Sequence, residues 1–99
     1  MARTLTVSRV RVRAGQEGEY LTAVRALAAL QATRGRRLWL FRRSGRSSEF
    51  LECSESGDEA VHRAVAVPPE DERRLEARIR AVADYDDGAW DLWEEVREG

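Results

Sequence analysis

The chain has 99 residues and a formal net charge of −1, a length that corresponds to a single domain over residues 1–99. It has one Cys, which excludes an internal disulfide and a thiolate cluster for a structural metal. No apolar run approaches the ~20 residues needed to cross a membrane, and the N-terminus lacks the apolar stretch of a signal peptide. We therefore predict one soluble, cytoplasmic domain with no membrane association.

The small net charge conceals an uneven distribution along the chain. Residues 1–48 contain eleven Arg and two Glu, a net charge of +9, whereas residues 49–99 contain six Arg and sixteen acidic residues, a net charge of −10. A basic half can indicate nucleic-acid binding. It can also pair with the acidic half inside the fold. Because the topology predicted below brings the two halves onto neighbouring strands, we predict no nucleic-acid partner.

The first predicted element is a strand over residues 4–13. Apolar and polar residues alternate along it, but the apolar phase slips by one position between Val7 and Val10. The slip indicates either a bulge near Ser8 or a strand that is buried on different faces at its two ends.

A helix is predicted over residues 16–33. Tyr20, Val24 and Leu27 follow the spacing of one helical face, and acidic residues occupy the first turn. Gly35 is placed to end the helix. A β-hairpin follows over residues 36–53, where two apolar runs flank a turn segment rich in Gly and Ser.

The second half begins with a short predicted helix over residues 59–66, which Pro68 must end. Pro69 then suits the first turn of a longer helix, whose apolar face carries Leu75, Ile79, Val82 and Ala83. Residues 89–96 are consistent with a strand or with a short amphipathic helix. The two Trp residues that follow an Asp-Gly turn favour the strand.

The order of elements predicts an α+β, ferredoxin-like β-α-β-β-α-β fold. Right-handed crossovers give a four-stranded antiparallel sheet of order 4-1-3-2, with the helices on one face. The other face would carry large apolar residues, drawn from Leu5 or Val10, Trp39 or Leu40, Phe50 or Leu51, and Trp90 or Trp93. Because so large an apolar face is unusual on a monomer, we predict a homodimer that joins the two sheets face to face.

The chain resembles the dimeric α+β-barrel superfamily, in particular domains of the antibiotic biosynthesis monooxygenase (ABM) type. The matching stretches are the strand-Gly-helix opening VRVRAGQEGEYL, the segment LECSESGDEAVHRAV and the closing WEEV. The resemblance implies a homodimeric α/β barrel with a pocket between sheet and helices in each subunit. It also implies a small-molecule ligand of the aromatic or quinol-like kind: some members oxidise such compounds with neither metal nor flavin, whereas many have no known reaction.

The chain departs from the family pattern at two positions. The family's first-strand Asn would fall near Ser8, and the Trp that often ends its third strand is replaced by Cys53. The haem-degrading members use an Asn, a Trp and a His, so that activity is not supported here. These departures favour an alternative function, a non-catalytic dimeric module that senses a metabolite or supports a partner protein.

The candidate site residues are aromatic, with one imidazole among them. His62 is the only His and is the candidate catalytic acid or base near neutral pH, although it can also simply pack near the pocket mouth. The candidate ligand-binding residues are Trp39, Phe50, Trp90, Trp93 and Tyr20. The same aromatic residues are equally suited to core or dimer contacts.

Two further groups of residues are given structural interpretations. We interpret Cys53 as a small buried apolar residue rather than a nucleophile. Glu52, Glu55 and Asp58 lack the spacing of a metal site and are interpreted as a solvated edge, so no metal is predicted.

Overall fold

The computed structural model describes residues 3–56 and 68–96 of the chain. Its elements, in chain order, are β1 (Thr4–Val12), α1 (Glu17–Ala32), β2 (Arg36–Arg42), β3 (Glu49–Ser56), α2 (Glu70–Val82), β4 (Ala83–Tyr85) and β5 (Leu92–Glu94). The strands form one antiparallel sheet in the order β2-β3-β1, and both β4 and β5 pair with the free side of β1. The predicted α+β, ferredoxin-like class and strand order are confirmed. The short helix predicted over 59–66 lies outside the described residues.

The central strand β1 carries its apolar side chains on different faces at its two ends. Its pairing with β3 runs in one unbroken register from Thr4 to Arg11, so the bulge alternative is wrong on this side of the strand. Val10 and Val12 are buried, whereas Val7 points to the opposite face. The slip in the sequence pattern therefore marks a change in the face that carries the apolar side chains, from the outward side at Val7 to the buried, helix-facing side at Val10.

Two short strands, β4 and β5, stand where a single fourth strand was predicted to pair with β1. Tyr85 in β4 pairs with Val10, and Leu92 in β5 pairs with Thr6, so the segment 86–91 loops out opposite residues 7–9 of β1. The strand predicted over 89–96 is thus right only for the residues of β5. Gly88, with a φ of 78°, provides the turn that carries the loop away from the ladder.

The second long helix ends one residue earlier than its apolar pattern predicts. Ala83 is extended, with φ −143° and ψ 149°, and it pairs with Val12 at the start of β4. Pairing with β1 buries Ala83 completely, which outweighs its preference for helix.

Both helices pack on one face of the sheet and enclose the hydrophobic core. The core residues come from the sheet and from both helices and are Val10, Val12, Phe50 and Ala83, then Tyr20, Ala23, Val24 and Leu27, and Ile79. An ion pair of 2.7 Å between Arg78 and Glu19 joins the two helices at the surface. Neither helix is long and apolar enough to cross a membrane.

The predicted hairpin and the predicted pairing of opposite charges are both present. The hairpin joins β2 to β3 through a turn at Gly45, whose φ is 79°, and Arg43 pairs with Glu49 across it at 2.8 Å. On β1, Arg11 pairs with Asp86 at 3.3 Å. Much of the opposite charge of the two halves is thus paired within one chain.

Candidate functional site

A buried carboxyl group lies at the centre of the helix-facing side of the sheet. Glu52, on β3, is the cross-strand neighbour of Ser8 on β1, and only 8% of Glu52 is exposed. It shares its face with Phe50, because residues two apart on a strand point to the same side. The interpretation of Glu52 as part of a solvated edge is wrong.

The two tyrosines of the chain donate hydrogen bonds to this carboxyl group. The Tyr20 hydroxyl, from the start of α1, donates to Glu52 Oε2 at 2.6 Å. The Tyr85 hydroxyl, from the end of β4, lies 2.8 Å from Oε2 and 3.0 Å from Oε1, so its single proton is shared between the two oxygens. The helix α1, the strand β3 and the edge strand β4 thus each contribute one side chain to a Tyr20–Glu52–Tyr85 cluster.

Burial controls the electrostatics of the cluster. It raises the pKa of Glu52, an effect that the tyrosine hydrogen bonds oppose and the nearby Glu76 carboxylate reinforces. Burial and the Glu52 charge also raise the pKa of both Tyr20 and Tyr85, which keeps the two hydroxyl groups protonated as donors. Among the residues that the structure describes, no guanidinium forms an ion pair with Glu52. The site can therefore hold or accept a proton at a pH where an ordinary carboxyl group is fully ionised.

The loop over residues 86–91 closes the cluster at the edge of the sheet. Trp90 stacks on Tyr85 with ring centroids 5.1 Å apart, and the Arg80 guanidinium lies 5.7 Å from the centroid of the Trp90 ring. The buried Ser8 hydroxyl donates to the Ala89 carbonyl at 2.5 Å and anchors the loop. Trp90 remains 57% exposed, so this edge is the side on which the cluster approaches solvent.

A second buried polar cluster surrounds Glu72 and has a structural role. The Glu72 carboxylate accepts hydrogen bonds from Arg34, from Arg36 at 3.4 Å and from Gln31 at 3.3 Å. These contacts connect the end of α1, the start of β2 and α2. Because one carboxylate is paired with two guanidinium groups, its charge is already compensated.

The outward face of the sheet is apolar at its centre. Trp39, Cys53 and Val7 lie side by side on adjacent strands, and Trp93 pairs with Leu5 in the next row. Phe41 extends the surface toward the hairpin and is 55% exposed. We refer to the side chains of Leu5, Val7, Trp39, Phe41, Leu51, Cys53 and Trp93 as the outward apolar surface.

A cavity of about 630 Å³ adjoins the outward apolar surface at the hairpin end of the sheet. Four arginines line it, and Arg43 and Arg11 are the two that form ion pairs with acidic residues, Glu49 and Asp86. Its complete lining is Arg9, Val10, Arg11, Phe41, Arg42, Arg43, Glu49, Phe50, Leu51 and Asp86. The lining of the cavity is thus rich in arginine, and the cavity lies beside an apolar surface.

Metal binding and thiol chemistry find little support in this geometry. Within residues 3–56 and 68–96, no three His, Cys, Asp or Glu side chains gather in a way that could hold a metal ion. Burial raises the pKa of the Cys53 thiol, which keeps it in the unreactive protonated form.

Comparisons by sequence and by structure give different results. No protein-family model matches the chain, and no curated protein matches it by sequence. The structure, however, is similar to SnoaB, a cofactor-independent oxygenase from Streptomyces nogalater, with a TM-score of 0.78, 17% identity and coverage of 100% of this chain and 96% of SnoaB. It is also similar to an antibiotic biosynthesis monooxygenase, with a TM-score of 0.73, 15% identity and coverage of 97% and 99% of the two chains.

The chain has the ABM fold. A conserved protein from Bacteroides thetaiotaomicron is similar over 95% of this chain and 96% of its own, with a TM-score of 0.75 and 18% identity. The resemblance predicted from the sequence is thus confirmed for the fold. In this ABM fold Ser8, near which the resemblance places the family's Asn, is the cross-strand neighbour of Glu52.

The structure does not bring the predicted site residues together on its ABM fold. Tyr20 and Phe50 are in the core, with ring centroids 4.8 Å apart, whereas Trp90 lies in the edge loop. Trp39 and Trp93 lie on the outward apolar surface. His62 lies outside the described residues, and its catalytic role stays a prediction.

The sequence interpretation overlooked Glu52, although a signal for its position was present. Glu52 follows Phe50 by two residues on a predicted strand, and a strict two-residue period places both side chains on one face. Ser8 stands in the same relation to Val10 on β1. A polar residue in phase with buried apolar residues on two adjacent strands indicates a buried polar site.

Proposed function

We propose that the protein binds a small hydroxylated aromatic molecule of the quinol type between the sheet and the helices, and oxidises it with O₂ and no cofactor. The observation that carries this proposal is the Tyr20–Glu52–Tyr85 cluster, a buried carboxyl group that already accepts hydrogen bonds from two phenol hydroxyls. A ligand hydroxyl on an aromatic ring presents the same chemical group. The surrounding aromatic side chains, Phe50 and Trp90 among them, suit an aromatic ring.

The proposed reaction needs only the substrate and oxygen. Removing a proton from a quinol gives an electron-rich anion that can reduce O₂ directly. One oxygen atom enters the ring as a hydroxyl group and the other leaves as water, and the quinol is oxidised to the quinone level. SnoaB, which shares the ABM fold, is a cofactor-independent oxygenase, and this similarity supports the proposal.

Product analysis with 1,4-naphthohydroquinone under ¹⁸O₂ tests the oxygenase activity. We expect 2-hydroxy-1,4-naphthoquinone that carries one labelled oxygen, together with labelled water. Spontaneous oxidation gives 1,4-naphthoquinone and hydrogen peroxide instead, so the two products separate catalysis from background. Heat-denatured protein is the control, and equal product distributions in the two samples would contradict the proposal.

We also propose that the protein acts as a homodimer through the outward apolar surface. Trp93 and Phe41 are more than half exposed on this surface in a single chain. A contiguous apolar patch on a sheet face is typical of an interface, and a two-fold axis can cover both copies with the same residues. Sedimentation velocity is expected to show a dimer. A monomer at high protein concentration would rule the interface out.

The alternative of a non-catalytic binding module is favoured by one observation. The carboxyl group of Glu52 already receives three hydrogen-bond contacts from the two tyrosines, an arrangement that is also complete without a substrate. Ligand binding with no labelled product in the ¹⁸O₂ experiment would favour this alternative.

A further inference from the structure

We propose that Glu52 accepts the hydroxyl proton of the bound aromatic ligand at its Oε1 atom, while Tyr20 fixes the carboxylate and Tyr85 gives up its hydrogen bond to the ligand. This inference rests on the proposed function and names the groups that perform its first step. It assigns Glu52 as a catalytic residue and the two tyrosines as positioning residues with different roles.

The hydrogen-bond geometry leaves Oε1 as the open acceptor. An ionised carboxylate can accept about four hydrogen bonds, two at each oxygen. Oε2 receives a short bond of 2.6 Å from Tyr20 and a second contact of 2.8 Å from Tyr85. From the described residues, Oε1 receives only the longer of the two Tyr85 contacts, at 3.0 Å. Oε1 is therefore the oxygen with the greater remaining capacity to accept a hydrogen bond from a ligand hydroxyl.

The two tyrosines differ in their freedom to move. Tyr20 is fully buried within the core and packs on Phe50, so its hydroxyl is fixed by the folded chain. Tyr85 is half-buried at the end of the three-residue strand β4, where the ladder stops and the 86–91 loop begins. Its other neighbour is the exposed Trp90. A ligand can thus reach Oε1 from the Tyr85 side and displace the Tyr85 hydroxyl, but not that of Tyr20.

The proton transfer conserves charge within the site. The ligand O–H bond breaks, an O–H bond to Glu52 Oε1 forms, and the negative charge passes from the carboxylate to the ligand oxygen. Burial already favours the neutral form of Glu52 because it raises the pKa of this group, and Glu76 on α2 acts in the same direction. Burial and the Glu52 charge raise the pKa of Tyr85, an effect that Arg80, also on α2, opposes, and Arg80 is the cation placed to stabilise an anion beside Tyr85.

The two cross-strand neighbours of Glu52 do not compete for this proton. Ser8, the cross-strand neighbour of Glu52 on β1, directs its hydroxyl to the Ala89 carbonyl. Leu40, the cross-strand neighbour of Glu52 on β2, is apolar. Among the described residues, Glu52 is the carboxyl group to which both tyrosines donate, and we assign it as the acceptor for the ligand proton.

Binding of a matched pair of ligands tests the inference independently of turnover. We would titrate the protein with 1-naphthol and with 1-methoxynaphthalene, which has the same ring and oxygen but no hydroxyl proton, and follow tryptophan fluorescence. The wild-type protein is expected to prefer 1-naphthol by about tenfold or more, since a hydrogen bond to a charged group is roughly twice as strong as one between neutral groups. The preference should increase with pH as Glu52 ionises.

Three variants separate a proton acceptor from a structural role. In Glu52→Gln, we expect the preference for 1-naphthol over 1-methoxynaphthalene to fall about tenfold and to become independent of pH. Binding of 1-methoxynaphthalene should be retained. Tyr85→Phe is expected to tighten 1-naphthol binding several-fold, because the competing donor is removed. Glu70→Gln, at an exposed position on α2, is the control and should behave as the wild type.

The outcomes distinguish this inference from the proposed function. If the wild type binds neither ligand, the proposed function fails and the inference with it. If it binds both ligands equally, or if Glu52→Gln keeps the preference, Glu52 is not the acceptor and only the inference fails. A weaker 1-naphthol complex in Tyr85→Phe would also overturn it, since Tyr85 would then support the ligand rather than compete with it.

Discussion

The two faces of the sheet differ in how completely one chain covers them. The helix-facing side is closed by α1 and α2, and it holds an acidic group at its centre, Glu52, with both tyrosines directed at it. The outward side is apolar at its centre, charged at its rim and open to solvent. We propose that the two faces serve different tasks, ligand binding and chemistry on the closed face and assembly on the open one.

The largest contrast is expected between the two phenylalanines of the chain. Phe50 is 4% exposed on the helix-facing side, whereas Phe41, on the adjacent strand, is on the outward side. Phe50→Ala should lower the free energy of unfolding by about 3–5 kcal/mol because it leaves a cavity in the core. Phe41→Ala should cost less than about 1 kcal/mol within one chain.

Urea unfolding at several protein concentrations measures this contrast. The Phe50→Ala loss should be the same at every concentration, whereas any Phe41→Ala loss should grow with concentration as dimer forms. Equal and concentration-independent losses for the two variants would remove the distinction between the faces.

A charge placed on the outward apolar surface is expected to prevent assembly without unfolding the chain. Cys53 lies between Trp39 and Val7, so Cys53→Glu would bury an unpaired carboxylate in the dimer. We expect the dissociation constant to rise by at least about a hundredfold, since burying an unpaired charge costs several kcal/mol. Sedimentation velocity measures the change, and Thr22→Glu, on the exposed side of α1, is the control. A dimer that survives Cys53→Glu must use another surface.

The carboxyl group on the closed face should make stability depend on pH. The pKa of Glu52 is raised above its ordinary value of 4.5 by burial, so above pH 4.5 the folded state binds more protons than the unfolded state. The free energy of unfolding therefore falls as pH rises through the folded pKa. Urea unfolding of wild type and Glu52→Gln over this range isolates the effect, and parallel curves for the two proteins would show that Glu52 titrates normally.

The smallest expected effect concerns the hydroxyl group that anchors the edge loop. Ser8→Ala removes the hydrogen bond to the Ala89 carbonyl and should cost about 1 kcal/mol. Amide hydrogen exchange in residues 86–91 should become faster, while the core of β1 keeps its protection. Ser47→Ala, in the exposed hairpin turn, is the control. If the rate of amide hydrogen exchange in the loop were unchanged, the turn at Gly88 would be sufficient to fix the loop without the Ser8 hydrogen bond.

The overall fold could be predicted because its signals are local. The hairpin follows from a Gly and Ser segment between apolar runs, and the change in the face that carries the apolar side chains of β1 follows from a slip in its alternation. The apolar residues of α1 report its buried side directly, and Tyr20, Val24 and Leu27 are all in the core. Each of these features is decided by neighbours in sequence.

The candidate site could not be predicted as well, because it depends on contacts between distant residues. Glu52 and Tyr85 are 33 positions apart and are joined through β1, which neither belongs to. The division of the fourth strand depends on the pairing of Ala83 with Val12. The sequence does not reveal this pairing, because the apolar pattern of the preceding helix also includes Ala83. Of the predicted aromatic residues, only Tyr20 is hydrogen-bonded to Glu52, since a composition of Trp and Phe does not specify which face receives each ring.

The interrupted edge of the sheet also has a consequence for solubility during folding. A long, regular edge strand offers unpaired backbone groups on which another chain can add, which is a route to aggregates. One edge here is broken by the 86–91 loop into two three-residue strands, and the opposite edge, β2, carries Arg36, Arg37 and Arg42. Neither edge is a good template for another strand. Addition of a second chain along an edge is therefore disfavoured, which leaves the outward apolar surface as the one on which the proposed dimer depends.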